Sequence, residues 1–138
     1  MFIMSANNIG HLQQLPETDA ILLFTCRHCN IIEIASGVFI DTHNIVKVDL
    51  SWNLIDTDNL HADIFRGRFD ENVYEPLKID SLDLSHNSIK SLESNTFEHL
   101  PHIKVLMLGY NPMDNINEAT KHAIGTLAKL EVIKLINQ

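Results

Sequence analysis

Cys26-Arg-His-Cys29 is the one arrangement in this 138-residue chain whose spacing suggests a chemistry of its own. Two thiols separated by two residues can hold zinc or cycle between thiol and disulfide when a second ligand pair or a thioredoxin-like βαβ unit supports them. The sequence supplies neither. Histidine is abundant (His11, His28, His43, His61, His86, His99, His102 and His122), yet none forms HExxH or joins Cys and carboxylates at metal-ligand spacing. His99 and His102 flank Leu100-Pro101 and read as surface residues. Ser51 and Ser85 each follow Asp-Leu, but no nucleophile elbow or paired base accompanies them. No catalytic residue, cofactor site or metal site is assigned, and no enzyme is expected.

What positions these residues is a repeat. Ile79-Asp-Ser-Leu82-Asp-Leu84-Ser-His-Asn87-Ser-Ile89 returns as Ile103-Lys-Val-Leu106-Met-Leu108-Gly-Tyr-Asn111-Pro-Met113, both reading LxxLxLxxNxL with aliphatic substitution. Ile45, Val48, Leu50, Asn53 and Ile55 fill the same template, as do Ile21, Phe24, Cys26, Cys29 and Ile31 with Cys in the Asn slot. Phe2, Met4, Asn7 and Ile9 fit the second half of a repeat. Leu130, Ile133 and Leu135 open another, with Gln138 where Asn belongs. Starts at 21, 45, 79, 103 and 130 give spacings of 24, 34, 24 and 27 residues. The partial repeats are therefore 1–20 and 130–138, and the full ones 21–44, 45–78, 79–102 and 103–129.

Alternation in LxL turns both apolar residues to one face of a short strand. The register predicts strands over 22–26, 46–50, 80–84 and 104–108 in one parallel sheet. Asn7, Asn53, Asn87 and Asn111 then align, and their amides can satisfy backbone groups left unpaired by the turn after each strand. Ile31 and Ile34, Ile89 and Leu92, and Met113 and Ile116 continue the core along the return path, where Phe39, Phe65 and Phe97 take one late position. By this register Cys26 and Cys29 point inward. Two free thiols there fit a reducing compartment, though a truncated secreted protein would look the same.

On these motifs the chain resembles the leucine-rich repeat family, in its typical 24-residue, mostly extracellular class, over essentially its whole length. The family pattern admits Cys in the Asn slot. The resemblance implies an α/β solenoid: a leucine-rich repeat horseshoe with a parallel concave sheet and an irregular convex side. It also implies a protein-recognition module, a segment of an extracellular or membrane-attached receptor or adhesion protein. An intracellular scaffold or adaptor, or a truncated product without independent activity, stands as the alternative. Extracellular members usually carry cysteine-rich caps, and none is visible here. The chain reads as a piece of a longer array, with self-association through uncapped ends left open.

Function is then sought on the concave face, the surface such solenoids extend for binding. The fifth repeat position carries Ile3, Thr25, Asp49, Asp83, Met107 and Lys134; the eighth carries Ala6, His28, Trp52, His86, Tyr110 and Asn137. The column His28-Trp52-His86-Tyr110 is the hot-spot candidate, since Trp and Tyr dominate such sites. Asp49 and Asp83, with Asp80, form an acidic patch edged by Lys47 and Lys104. The competing reading has the rings merely stacking on each other. The long repeat holds ten extra residues, leaving about Arg66 to Pro76 as a loop. Its Arg66, Arg68, Phe69 and Tyr74 are contact candidates, unless the aromatics fold back on the solenoid.

Composition narrows the partner. A net charge of −8 argues against non-specific nucleic-acid binding, which needs Lys and Arg to neutralise phosphates. No stretch approaches the roughly 20 apolar residues of a membrane helix. No signal-peptide pattern occurs in residues 1–20, and no N-x-Ser/Thr sequon is present. A protein ligand of unknown identity is expected; the compartment is not fixed by the residues, and the resemblance alone favours the cell surface.

Overall fold

The computed structural model describes residues 1–5, 8–114 and 116–135, the side chains of Met4 and Ser5 excepted. The expectations for Ala6, Asn7, Asn137 and Gln138 fall outside them. In chain order the strands are Phe2–Ser5 (β1), His11–Leu12 (β2), Leu23–Arg27 (β3), Glu33–Ile34 (β4), Lys47–Asp49 (β5), Arg68–Asp70 (β6), Val73–Glu75 (β7), Ser81–Asp83 (β8), Val105–Met107 (β9) and Val132–Lys134 (β10). Six form one sheet in the order β1-β3-β5-β8-β9-β10, with every neighbouring pair parallel. All four expected strand segments lie in it, trimmed to three residues at β5, β8 and β9.

The register follows the repeat. Phe24 pairs with Val48, Val48 with Leu82, Leu82 with Leu106, and Leu106 with Ile133. In the sheet, β3, β5, β8 and β9 bury their inward residues and leave the alternate ones at least part-exposed, as a half-buried strand must. Leu82, Leu84, Leu106 and Leu108 have no exposure to solvent. Phe39, Phe65 and Phe97 are buried beneath the return path with Ile31, Ile34, Ile89, Leu92, Leu100 and Met113, and Ile116 packs at the margin.

Three features depart from the sequence reading. Residues 66–76 are not an unstructured loop: β6 and β7 pair antiparallel as a hairpin, Arg68 opposite Glu75 and Phe69 opposite Tyr74. Its tip, Glu71-Asn72, has φ of 49° and 66°, the two left-handed residues of a type I′ turn, whose twist matches that of the strands. At the hairpin base a Cβ on Gly67 would collide with the Glu75 carbonyl, so only glycine lets the strands close. Secondly, the return path is helical in the 27-residue repeat: Glu118–Gly125 (α1) starts where the Asn117 side chain accepts from Thr120 N at 2.9 Å. Thr120 and Ala123 turn inward, and Thr120 Oγ1 accepts from Leu92 N at 2.9 Å.

The third departure concerns the cysteines. Cys26 and Cys29 are fully buried core residues, but they are joined in a disulfide rather than free. The left-handed turn at His28 brings their two inward-facing side chains together across three residues.

Candidate functional site

The asparagine ladder is what shapes the surface. Asn87 Oδ1 accepts from Ile55 N at 3.0 Å, while its Nδ2 donates to Leu50 O, Leu84 O and Ser85 O, each at 3.1 Å. Asn111 serves Ile89 N, Leu84 O and Leu108 O in the same way. Asn53 does so for Cys29 N, Ile31 N, Cys26 O and Leu50 O. Each amide thus ties its own turn to the preceding repeat. Cys29, lacking an amide, cannot extend the ladder and closes on Cys26 instead.

For Asn to point inward at the ninth position, the chain must reverse at the eighth. His28, Trp52, His86 and Tyr110 all have φ between 55° and 59°. That region is uncommon for non-glycine residues, and especially so for bulky ones. The reversal throws their side chains outward at the ends of β3, β5, β8 and β9. Ring centroids are 5.1 Å apart for His28–Trp52, 3.8 Å for Trp52–His86 and 4.3 Å for His86–Tyr110, the last two pairs stacked nearly parallel. Trp52 is 42% exposed and Tyr110 47%. The rings therefore stack on each other and remain open to solvent at their edges, so the two sequence readings of this column are not exclusive.

Asp49 and Asp83 are half-buried and already engaged. Asp49 Oδ1 accepts from Ser51 N at 2.9 Å and Ser51 Oγ at 2.5 Å, and Asp83 Oδ1 accepts likewise from Ser85. The recurring Ser is thus a hydrogen-bond partner of the Asp two residues before it. Arg27 Nε lies 4.0 Å from Asp49, and Lys47 Nζ 3.6 Å from Asp80. Asp49 and Asp80 thus each have a cation within 4.0 Å, while Asp83 has, among the described residues, only its hydrogen bonds to Ser85, which the spacing Asp-Leu-Ser could have signalled.

The hairpin divides its candidates. Phe69 is 71% exposed, and Arg66 is exposed beside it. Tyr74 instead folds back: its hydroxyl accepts from Gly67 N at 2.8 Å and lies 2.9 Å from His99 Nδ1. Arg68 Nη1 donates to His43 Nε2 at 2.9 Å, and His43 Nδ1 is 2.8 Å from Asp19 Oδ1. Because guanidinium only donates, His43 Nε2 must offer its lone pair and Nδ1 carries the ring proton toward Asp19. His43 and His99 are therefore pins for the inserted hairpin, a role no local sequence signal announced. The ring column and the hairpin are separate stacks: His28, Trp52, His86 and Tyr110 stack in sequence, while Phe69 and Tyr74 pair with each other and Tyr74 with His99.

A six-stranded parallel sheet stitched by an asparagine ladder defines a solenoid repeat protein. Residues 78–137 match the family model described as leucine rich repeat, which supports a leucine-rich repeat family for this part of the chain. No curated protein matches it. The family is one of protein-binding modules, and nothing in the site points to catalysis. No helix among the described residues is long and apolar enough to cross a membrane.

Proposed function

We propose that this chain is a segment of an extracellular or membrane-attached receptor or adhesion protein that grips a protein ligand on the concave side of a horseshoe-shaped array. The array is taken as one domain, 1–138, with the repeat boundaries given above. One observation carries the reading: four consecutive repeats present a ring at the same left-handed position, stacked yet solvent-exposed. Rigid, pre-stacked aromatics lose little entropy on binding, the property that makes Trp and Tyr frequent anchors. His28 and His86 extend the column, with Asp49 and Asp83 beside it. Arg66 and Phe69 form a second contact candidate at the hairpin, Arg68 and Tyr74 holding it in place.

The Cys26–Cys29 bond supports an oxidising compartment, where such bonds persist. The intracellular alternative drew on free thiols together with the lack of a signal-peptide pattern and of sequons, and the bond bears on the first of these alone.

The test is a titration against a partner isolated by cross-linking to the intact array and then purified. Trp52→Ala should weaken binding by about 2 kcal/mol or more, a hot-spot loss. Its cost in stability should stay within about 1.5 kcal/mol, the worth of an aromatic pair. Trp52→Asn, which tolerates the left-handed backbone, should lose binding equally. Unchanged affinity in both variants would reject the column as the contact surface and shift the reading to the hairpin.

A further inference from the structure

The opposite end of the sheet, ahead of the strands, carries a second periodic feature. The residue just before each of the last three repeat starts is Lys78, His102 or Lys129, and Lys104 follows two positions after His102. Together with Asp80 these side chains line a cleft of about 260 Å³. Lys47 Nζ lies 3.6 Å from Asp80 Oδ1, an oxygen that makes no hydrogen bond. An adjoining cleft of about 550 Å³ shares Lys78 and His102, and its own acids are taken: Asp19 by His43 at 2.8 Å, Glu75 by Arg68 at 3.7 Å. Glu131 follows Lys104 across the ladder, yet neither it nor any other described carboxylate pairs with Lys78, Lys104 or Lys129. Three ammonium groups with no ion-pair partner share one small cleft with a single carboxylate, that of Asp80, in a chain whose net charge is −8.

The imidazole adds direction. Lys129 Nζ lies 3.1 Å from His102 Nδ1. Ammonium only donates, so Nδ1 supplies a lone pair and the neutral ring carries its proton on Nε2 as a further donor. Asp80 apart, the polar side chains of the cleft are donors. Its volume lies below the roughly 300–1,000 Å³ of small-molecule sites, a size for one group rather than a metabolite.

We propose that Lys78, His102, Lys104 and Lys129 bind a tetrahedral oxyanion, a phosphate or sulfate monoester borne by a partner. A phosphate monoester offers three acceptor oxygens and nearly two negative charges, and a sulfate ester three such oxygens with one charge; both outnumber the two oxygens of a carboxylate. The site lies at the other end of the strands from the ring column and does not depend on it.

The whole chain, isotopically labelled, would be titrated with inorganic phosphate and with sulfate at constant ionic strength, following the His102 ring resonances. A saturable shift is expected, absent with acetate. The double variant Lys78→Gln/Lys129→Gln should bind at least about tenfold more weakly, the ordinary loss for charged hydrogen bonds, with its unfolding midpoint unchanged. Lys121→Gln, whose lysine pairs with Glu118 on α1, should bind as the parent does. Competition by a phosphoserine peptide or by a tyrosine-sulfate peptide, whichever is tighter, names the source of the ester. A shift that never saturates, an equal response to acetate, an undiminished response in the double variant, or failure of both peptides to compete would overturn the proposal.

Discussion

Asn87 concentrates the logic of the molecule in one side chain. Its amide satisfies backbone groups from two repeats in a buried setting. Asn87→Ala should therefore cost about 1–3 kcal/mol, the penalty for stranding buried polar partners. Asn95, exposed and outside the ladder, provides the comparison: Asn95→Ala should cost under about 0.5 kcal/mol. Chemical denaturation of both variants measures the difference, and equal losses would mean that the ladder does not carry stability. The same residue explains the ring column. Holding Asn inward fixes the left-handed turn before it, so the outward rings are a by-product of the ladder that a binding surface can use.

Among the elements, the inserted hairpin is the one whose stability is its own. It pins to the array through Arg68–His43 and Tyr74–His99, and its base depends on Gly67. Gly67→Ala forces a methyl group against the Glu75 carbonyl, an overpacking usually worth about 1–3 kcal/mol. Because only this short element feels the clash, hydrogen exchange should speed up over residues 68–75 and stay unchanged over β8. Loss of protection throughout the sheet would instead make the hairpin an integral part of the solenoid. The helix α1 follows a different course: its insertion is absorbed in the coil, with Thr120 bonded to Leu92 of the preceding repeat.

At the scale of the molecule, every repeat buries its apolar side only against its neighbours, so damage spreads along the array. Leu84 has no solvent exposure and lies mid-array, between β5 and β9. Leu84→Ala should cost about 2–5 kcal/mol, as truncations that leave a cavity do. Sheet and return-path probes should report one shared transition, lowered as a unit. A midpoint unchanged by the substitution would contradict the central place of Leu84. The two ends of the strands also differ across the whole molecule: aromatic rings lie past one end and unpaired lysines ahead of the other.

The sequence by itself determined the register: which residues face inward at 24, 26, 48, 50, 82, 84, 106 and 108, where the strands lie, and which residues recur as Asn and Phe. Those are consequences of local alternation repeated at a near-constant period, and both are visible in the order of residues. Tertiary structure decided the rest, because the deciding contacts join residues a repeat or more apart or depend on a backbone turn that no residue type announces. His43 and Arg68 are 25 residues apart, as are Tyr74 and His99, so the hairpin's pins could not be read from its own segment. Phe69 and Tyr74 lie opposite each other on one face of the hairpin, their rings 5.2 Å apart, and what separates them is the Tyr74 hydroxyl, which reaches Gly67 and His99. Cys26 and Cys29 were legible as core, yet their bond needed the left-handed turn at His28 that brings two inward side chains together. Asp49 and Asp83 were legible as outward, yet their hydrogen bonds to Ser51 and Ser85 depend on the strand ending where it does.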